Sequence, residues 1–330
     1  MHKTPDIDRF VTAGQETQAP LDSQEAKAPL ESQETKTPLV SIVLPMYNSA
    51  KTIACCIESI KRQTMGDFEV LLVDDGSTDD SLAVAAKNVR GDERFRIISR
   101  ENHGVSLTRN FALALARGTW VAFIDADDWF APYALEAMVN GMQQGAELAV
   151  CSFYRVGGER YSVKRQEPTS LMSYNDYVKA MSKAPANYFF ACLWNKLFKR
   201  SIICEAGLEF DNTMDFAEDH VFVLRYLLYT SHVAVVDRPV YFYVDTPGSL
   251  VHNAMNLADF SKSRTILADH YEAVCKKAGM SSTVSAGYVA GFVFSPATDG
   301  IVTALDEKLC EGMLPPAAAK LDSRFNYLFY

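Results

Sequence analysis

The sequence predicts an α/β protein with a mostly parallel sheet flanked by helices. Three observations carry that expectation. Short runs rich in β-branched residues alternate with amphipathic helical stretches, the pattern of parallel strands joined by right-handed crossovers. The run Val121 to Ile124 is apolar throughout, as befits a strand buried on both faces, and it stops in Asp125, Asp127 and Asp128. Polar loops follow four successive strands, at Pro45 to Ser49, Asp74 to Asp79, Arg100 to Gly104 and Asp125 to Asp128, so they converge on the crevice beyond the strands' carboxyl ends. Three acids at one strand end repel one another and resist desolvation. They call for a counter-charge: a divalent metal, basic side chains or solvent. Hard carboxylate oxygens suit Mg²⁺ or Mn²⁺, which in turn suit a diphosphate; the same acids could instead cap the following helix.

The elements follow in order. Residues 1–38 contain a nine-residue repeat, Gln15 to Ser23, Gln24 to Ser32 and Gln33 to Ser41, with a proline in each copy; so polar a stretch is expected to be a disordered tail. Leu39 to Leu44 reads as the first strand, Ile53 to Gln63 as a helix, and Phe68 to Val73 as the second strand. A helix over about Ser81 to Val89, a strand at Phe95 to Ser99 and a helix over about Ser106 to Ala116 lead into the carboxylate strand. Beyond it come a helix from Tyr133, a strand at Leu148 to Tyr154, a polar loop or edge hairpin over 155–170, and a helix at Tyr174 to Met181. After Leu193 to Arg200 comes a short helix. Glu218-Asp219 opens the helix Val221 to Tyr229, two strands follow at Val233 to Val236 and Val240 to Val244, and helical patterns resume at Leu257.

With 330 residues, 48% of them hydrophobic, the chain can build a large core, and its net charge of -9 argues against a nucleic-acid binder that relies on a basic face. Seven cysteines without a Cys-x-x-Cys pair fit a reduced, cytoplasmic setting. No stretch approaches the roughly 20 apolar residues of a membrane span.

Val40 to Asn48, Asp74 to Asp79, Asn102-x-Gly104 with Arg109 and Asn110, and Phe123 to Asp128 together resemble family 2 glycosyltransferases of the GT-A fold. The similarity continues through Trp194 to Phe198, Glu218-Asp219 and Tyr241 to Tyr243, and covers residues 39–252. It implies a nucleotide-binding half at 39–154 and an acceptor half at 155–252; the helical patterns beyond predict a helical C-terminal extension at 253–330. By this resemblance Pro45, Tyr47 and Asn48 lie along the base of a nucleotide-sugar, where an aromatic ring gains from stacking, and Asp75 accepts the uracil imino proton. Arg109 helps hold the ribose or diphosphate, or is a solvated helix residue. Asp125 and Asp127 meet the nucleotide-sugar, and Asp127 with Asp128 holds Mg²⁺ or Mn²⁺.

The family's catalytic base matches Asp219, which takes the proton from the attacking hydroxyl; the same pair of acids also suits a helix cap. Trp194, Lys196 and Glu218 are expected on the acceptor side or packed beneath it. His252 is either a further metal contact or a surface residue. The chain is thus expected to be a metal-dependent, inverting UDP-sugar transferase with an Asp-x-Asp element. Its acceptor would be a glycan or lipid-linked molecule in cell-surface polysaccharide synthesis, with peripheral contact at the inner face of the cell membrane. The alternative is a catalytically inactive binding module of the same fold. The Gln-x-x-Arg-Trp signature of processive synthases is absent, which favours single additions. Val244 stands where relatives often carry a basic residue, and Ala112 where a Gly is frequent. A nicotinamide oxidoreductase is disfavoured because Pro45 to Asn48 stands where Gly-x-Gly-x-x-Gly would be needed.

Overall fold

The computed structural model describes residues 37–156, 170–183, 188–214, 217–244 and 257–281, within a unit that begins at Thr37. The repeat tail up to Lys36, most of the 155–170 loop, His252 and the chain beyond residue 281 lie outside the described residues.

Strand β1 (Val40–Met46) pairs in parallel with β2 (Phe68–Asp75) and with β4 (Trp120–Phe123), and β2 pairs in parallel with β3 (Phe95–Arg100). The crossovers are α1 (Ile53–Lys61), α2 (Ser81–Val89) and α3 (Val105–Leu115). The eight residues of β2 are all buried, including both terminal aspartates, so this half of the sheet is covered on both faces as a parallel sheet must be.

The second half is mixed. It comprises β5 (Trp129–Phe130), α4 (Ala134–Met142), β6 (Leu148–Val156), β7 (Ser170–Ser173), α5 (Tyr174–Ser182), α6 (Tyr188–Ala191), β8 (Lys196–Lys199), α7 (Arg200–Glu205), α8 (Glu218–Leu227), β9 (His232–Val244) and α9 (Leu257–Lys277). Strand order is β3-β2-β1-β4-β8-β6-β9-β5, with β7 also on β9. β8 runs antiparallel to both β4 and β6. The two strands expected at 233–236 and 240–244 are one strand. Pro239 lies between the two runs, and a register shift opposite Cys151 and Phe153 absorbs it, as bulges do for proline within a sheet.

Two contacts fix the frame around the crevice. At the opposite end of the strands, Ser41 donates to the buried Glu69 at 2.7 Å and Arg117 donates to Glu69 through Nε at 2.9 Å and Nη2 at 2.7 Å. Gly118 passes so close that a Cβ would lie 2.4 Å from the Ser41 nitrogen. On the crevice side, Phe123 of β4 meets Phe198 of β8 and Phe222 of α8 edge-on at 5.6 and 6.0 Å, while Phe210 stacks on Phe222 at 4.2 Å. Helix α8 is therefore docked directly on the strand that ends in Asp125.

Candidate active site

The loops after β1, β2 and β3 are stitched together by backbone donors and short polar side chains. Asn48 adopts a left-handed φ of 48°, which asparagine tolerates better than most residues. Its N–H donates to Ser77 Oγ at 3.0 Å, and its Oδ1 accepts the Thr78 N–H at 2.8 Å. Asp74 accepts the Ser99 hydroxyl at 2.9 Å and the Ser77 N–H at 3.2 Å, closing the turn after β2. Asp75 accepts the N–H groups of His103 at 3.0 Å and Gly104 at 2.8 Å; a carboxylate has lone pairs left for a further donor. Gly76, at φ 73°, could carry no side chain, since a Cβ would sit 2.8 Å from the Asn102 nitrogen. Above this frame Tyr47 is 51% exposed, an open aromatic face at the mouth of the crevice, and the half-buried Pro45 sits two residues before it.

Arg109 is the hinge between the halves. The alternative of a solvated helix residue is corrected: Arg109 is buried, because α3 lays it between two carboxylates. Nη2 lies 3.2 Å from Asp125 Oδ1 at the end of β4, and Nη1 lies 2.8 Å from Glu218 Oε1 at the start of α8. Burial works against its charge, but Asp125 and Glu218 outweigh that and hold it protonated.

Asp219, next to Glu218, is half-buried and accepts the His220 backbone N–H at 2.7 Å. Burial, reinforced by the charge of Glu218 and opposed by Arg109, raises its pKa to about 7, and the charge of Asp125 reaches it too. Ala217, immediately before, is left-handed at φ 62° and supplies no side-chain cap. Such a conformation is costly for alanine and is typical of functional turns. Asp125, Arg109, Glu218 and Asp219 thus meet from β4, α3 and α8.

Three expected residues sit deeper than a ligand-facing role requires. Asp128, expected beside the metal, turns inward: Tyr241 donates its hydroxyl to Oδ2 at 2.7 Å and Val244 its N–H to Oδ1 at 2.7 Å. Burial and the charges of Asp127 and Asp125 push its pKa up. Lys196 is fully buried; its ammonium donates to the carbonyls of Phe189 and Cys192 and to Asn195 Oδ1, so it pins α6 to the sheet and does not line an acceptor groove. Trp194 packs beneath, stacked on Tyr241 at 4.5 Å and Tyr243 at 5.6 Å. Tyr241 is the residue whose role the sequence left unread. Its hydroxyl also accepts the Asp125 N–H at 3.2 Å, so one buried phenol supports both ends of the acidic loop.

Asp127 is half-buried on that loop. Among the described residues no three His, Cys, Asp or Glu side chains form a metal shell of their own. Few protein ligands are what Mg²⁺ needs when phosphate and water supply the rest, and the hard oxygens of Asp127 fit such an ion.

The model of glycosyl transferase family 2 matches residues 41–206, half of the chain. A Bacillus subtilis protein described as the uncharacterized glycosyltransferase EpsJ is 33% identical over 214 residues, covering 64% of this chain and 62% of its own. The cholesterol galactosyltransferase of Borreliella burgdorferi is 31% identical over 219 residues, covering 62% and 59%. The chain therefore spans about three fifths of the length of these relatives. In fold it is similar to S. aureus TarS 1-349, solved in complex with UDP-GlcNAc, with a TM-score of 0.63 at 21% identity over 77% of this chain and 71% of that one. The chain belongs to glycosyl transferase family 2.

Proposed function

We propose that this protein is an inverting glycosyltransferase that moves a sugar from a UDP-sugar to a hydroxyl of a glycan or lipid-linked acceptor during cell-surface polysaccharide assembly. What supports the reading is the cluster of Asp219, Glu218, Arg109 and Asp125, which brings a carboxylate whose pKa burial raises to about 7 beside the acid that follows β4. A general base is most useful with a pKa near the working pH. Asp219 takes the proton from the acceptor hydroxyl. That oxygen forms the new bond to the anomeric carbon as the bond from this carbon to the diphosphate breaks, and UDP leaves with the electron pair. Attack from the face opposite the leaving group inverts the anomeric centre.

On the donor side Tyr47 stacks on the base and Asp75 accepts its imino proton, while Asn48 holds the two base-facing loops in register. Asp125 meets the ribose, and Asp127 would hold Mg²⁺ or Mn²⁺. When bound, such an ion neutralises charge on the departing diphosphate. Asp128 supports the loop from below. Supporting the donor class is the name of the similar TarS complex, which contains UDP-GlcNAc. No helix among the described residues is long and apolar enough to cross a membrane; contact with a membrane would come through the acceptor.

A thermal-shift screen of UDP-, GDP- and dTDP-sugars with and without Mn²⁺ tests the donor reading. Stabilisation by a UDP-sugar only with the metal is the expected result. A response to NAD(H) and to none of these would refute it. Tight UDP-sugar binding with neither transfer nor hydrolysis would leave a binding module instead.

A further inference from the structure

Helix α9 lies beyond the span matched by the family model, which ends at residue 206, yet it reaches the first turn of α8. That turn carries Glu218 and Asp219, begins at the left-handed Ala217, and has no side-chain cap. Something else must hold its direction. On one side the restraint is the ion pair from Glu218 to Arg109. On the other it is His220, whose backbone N–H contacts Asp219 and whose buried imidazole Nε2 lies 2.8 Å from the hydroxyl of Tyr271 on α9, the rings edge-on at 5.2 Å.

We infer that Tyr271 is a positioning residue for the transfer reaction: through His220 it fixes the first turn of α8 and so aims the Asp219 carboxylate at the acceptor hydroxyl. The inference rests on the reading of Asp219 as the base. Both partners are suited to a permanent, neutral bond. Burial and the charge of Lys196 push the His220 pKa down to about 3, and burial raises that of Tyr271. The rest of α9 is anchored independently. Tyr174 donates its hydroxyl to the Val274 carbonyl at 2.9 Å, and Lys277 donates to the carbonyls of Leu228 and Thr230 at the far end of α8 at 2.9 and 2.8 Å. Losing one hydroxyl should therefore leave α9 docked while freeing the turn.

The test compares Tyr271→Phe with Val274→Ala, a deletion on the same helix that removes core packing and leaves the Tyr271 hydroxyl in place. Turnover is read as UDP released from a panel of UDP-sugars, and exchange of the backbone amides at 218–222 is read by mass spectrometry. Tyr271→Phe should lower kcat at least tenfold with the donor KM within twofold, and should speed exchange at 218–222 tenfold. Val274→Ala should lower Tm more and kcat less. Unchanged exchange at 218–222 in Tyr271→Phe, or equal losses of kcat in the two variants, would overturn the inference. Asp219→Asn is run alongside: if it keeps wild-type turnover, the assignment of the base fails and not merely its support.

Discussion

At the scale of single residues, Asp219 gives the sharpest expectations because its environment is unusual for an aspartate. With a pKa near 7, the fraction able to accept a proton rises through neutral pH, so kcat/KM should climb with pH and level off above about 7. Glu218→Gln removes a charge that raises that pKa, and the acid limb should move to lower pH in a pH-rate series; a limb that stays put would deny the coupling. The same shift has a stability consequence of definite sign. Because the folded pKa lies above the unfolded one, Asp219 favours folding most at low pH, and that contribution is lost as pH rises through 7. Asp219→Asn should therefore be more stable than the wild type at pH 8, by roughly 1–2 kcal/mol, since each unit is worth about 1.4 kcal/mol and solvent contact discounts the full shift. Denaturant melts at pH 5 and pH 8 check this, and the difference should shrink at the lower pH.

Among single residues, the acids at the strand end stood out in the sequence because a buried strand rarely stops in three carboxylates, whereas the Glu-Asp pair was read through the family resemblance, since acids at a helix start also suit a cap. Lys196 and Asp128 were not. Lysine and aspartate are seldom fully buried, and only the fold reveals that three acceptors surround the one ammonium and that Tyr241 and Val244 lie under the other carboxylate. Tyr241→Phe would leave Asp128 short of a donor while keeping the ring stack with Trp194, at about 1–3 kcal/mol for a buried acceptor left unpaired. Thermal melts should register that loss, accompanied by weaker UDP binding because the Asp125 N–H loses its acceptor as well.

At the scale of elements, the strands and helices of the first half could be read almost residue by residue, since short apolar runs rich in β-branched residues separate cleanly there from stretches with a period of 3.6. The second half was harder for identifiable reasons. Lys196 to Lys199 is only four residues long, and its antiparallel pairing with β4 and β6 depends on partners remote in sequence. β9 reads as two runs because Asp237, Arg238 and Pro239 interrupt its apolar pattern, and only the pairing with β6 shows that a register shift carries the strand through them. Close approaches also belong to this scale. A methyl at Gly118 would meet the backbone of β1 at 2.4 Å, and backbone cannot swing aside as a side chain end can. Gly118→Ala should therefore cost about 1–3 kcal/mol, measurable as a lower denaturant midpoint. An unchanged midpoint would mean that the turn before β4 can shift freely.

At the scale of the whole molecule, the sheet joins two kinds of half. The parallel strands deliver loops that suit a nucleotide, and the mixed strands with α8 deliver an acid from the far side. Strand β4 belongs to both: β1 pairs with one edge, β8 with the other, and its end supplies Asp125. Arg109 closes the seam, so Asp125 of one half and Glu218 and Asp219 of the other are electrically one cluster even though they lie far apart in sequence. That union could not be read from spacing, because it depends on a crossover helix turning its arginine inward.

The measurement that tests the account most directly is the turnover of UDP-sugar by Asp219→Asn beside its affinity for UDP. Transfer and hydrolysis should fall by about a thousandfold or more, in line with loss of a general base, with UDP binding within a few-fold of the wild type. An Asp219→Asn protein that transfers sugar at the wild-type rate would contradict it.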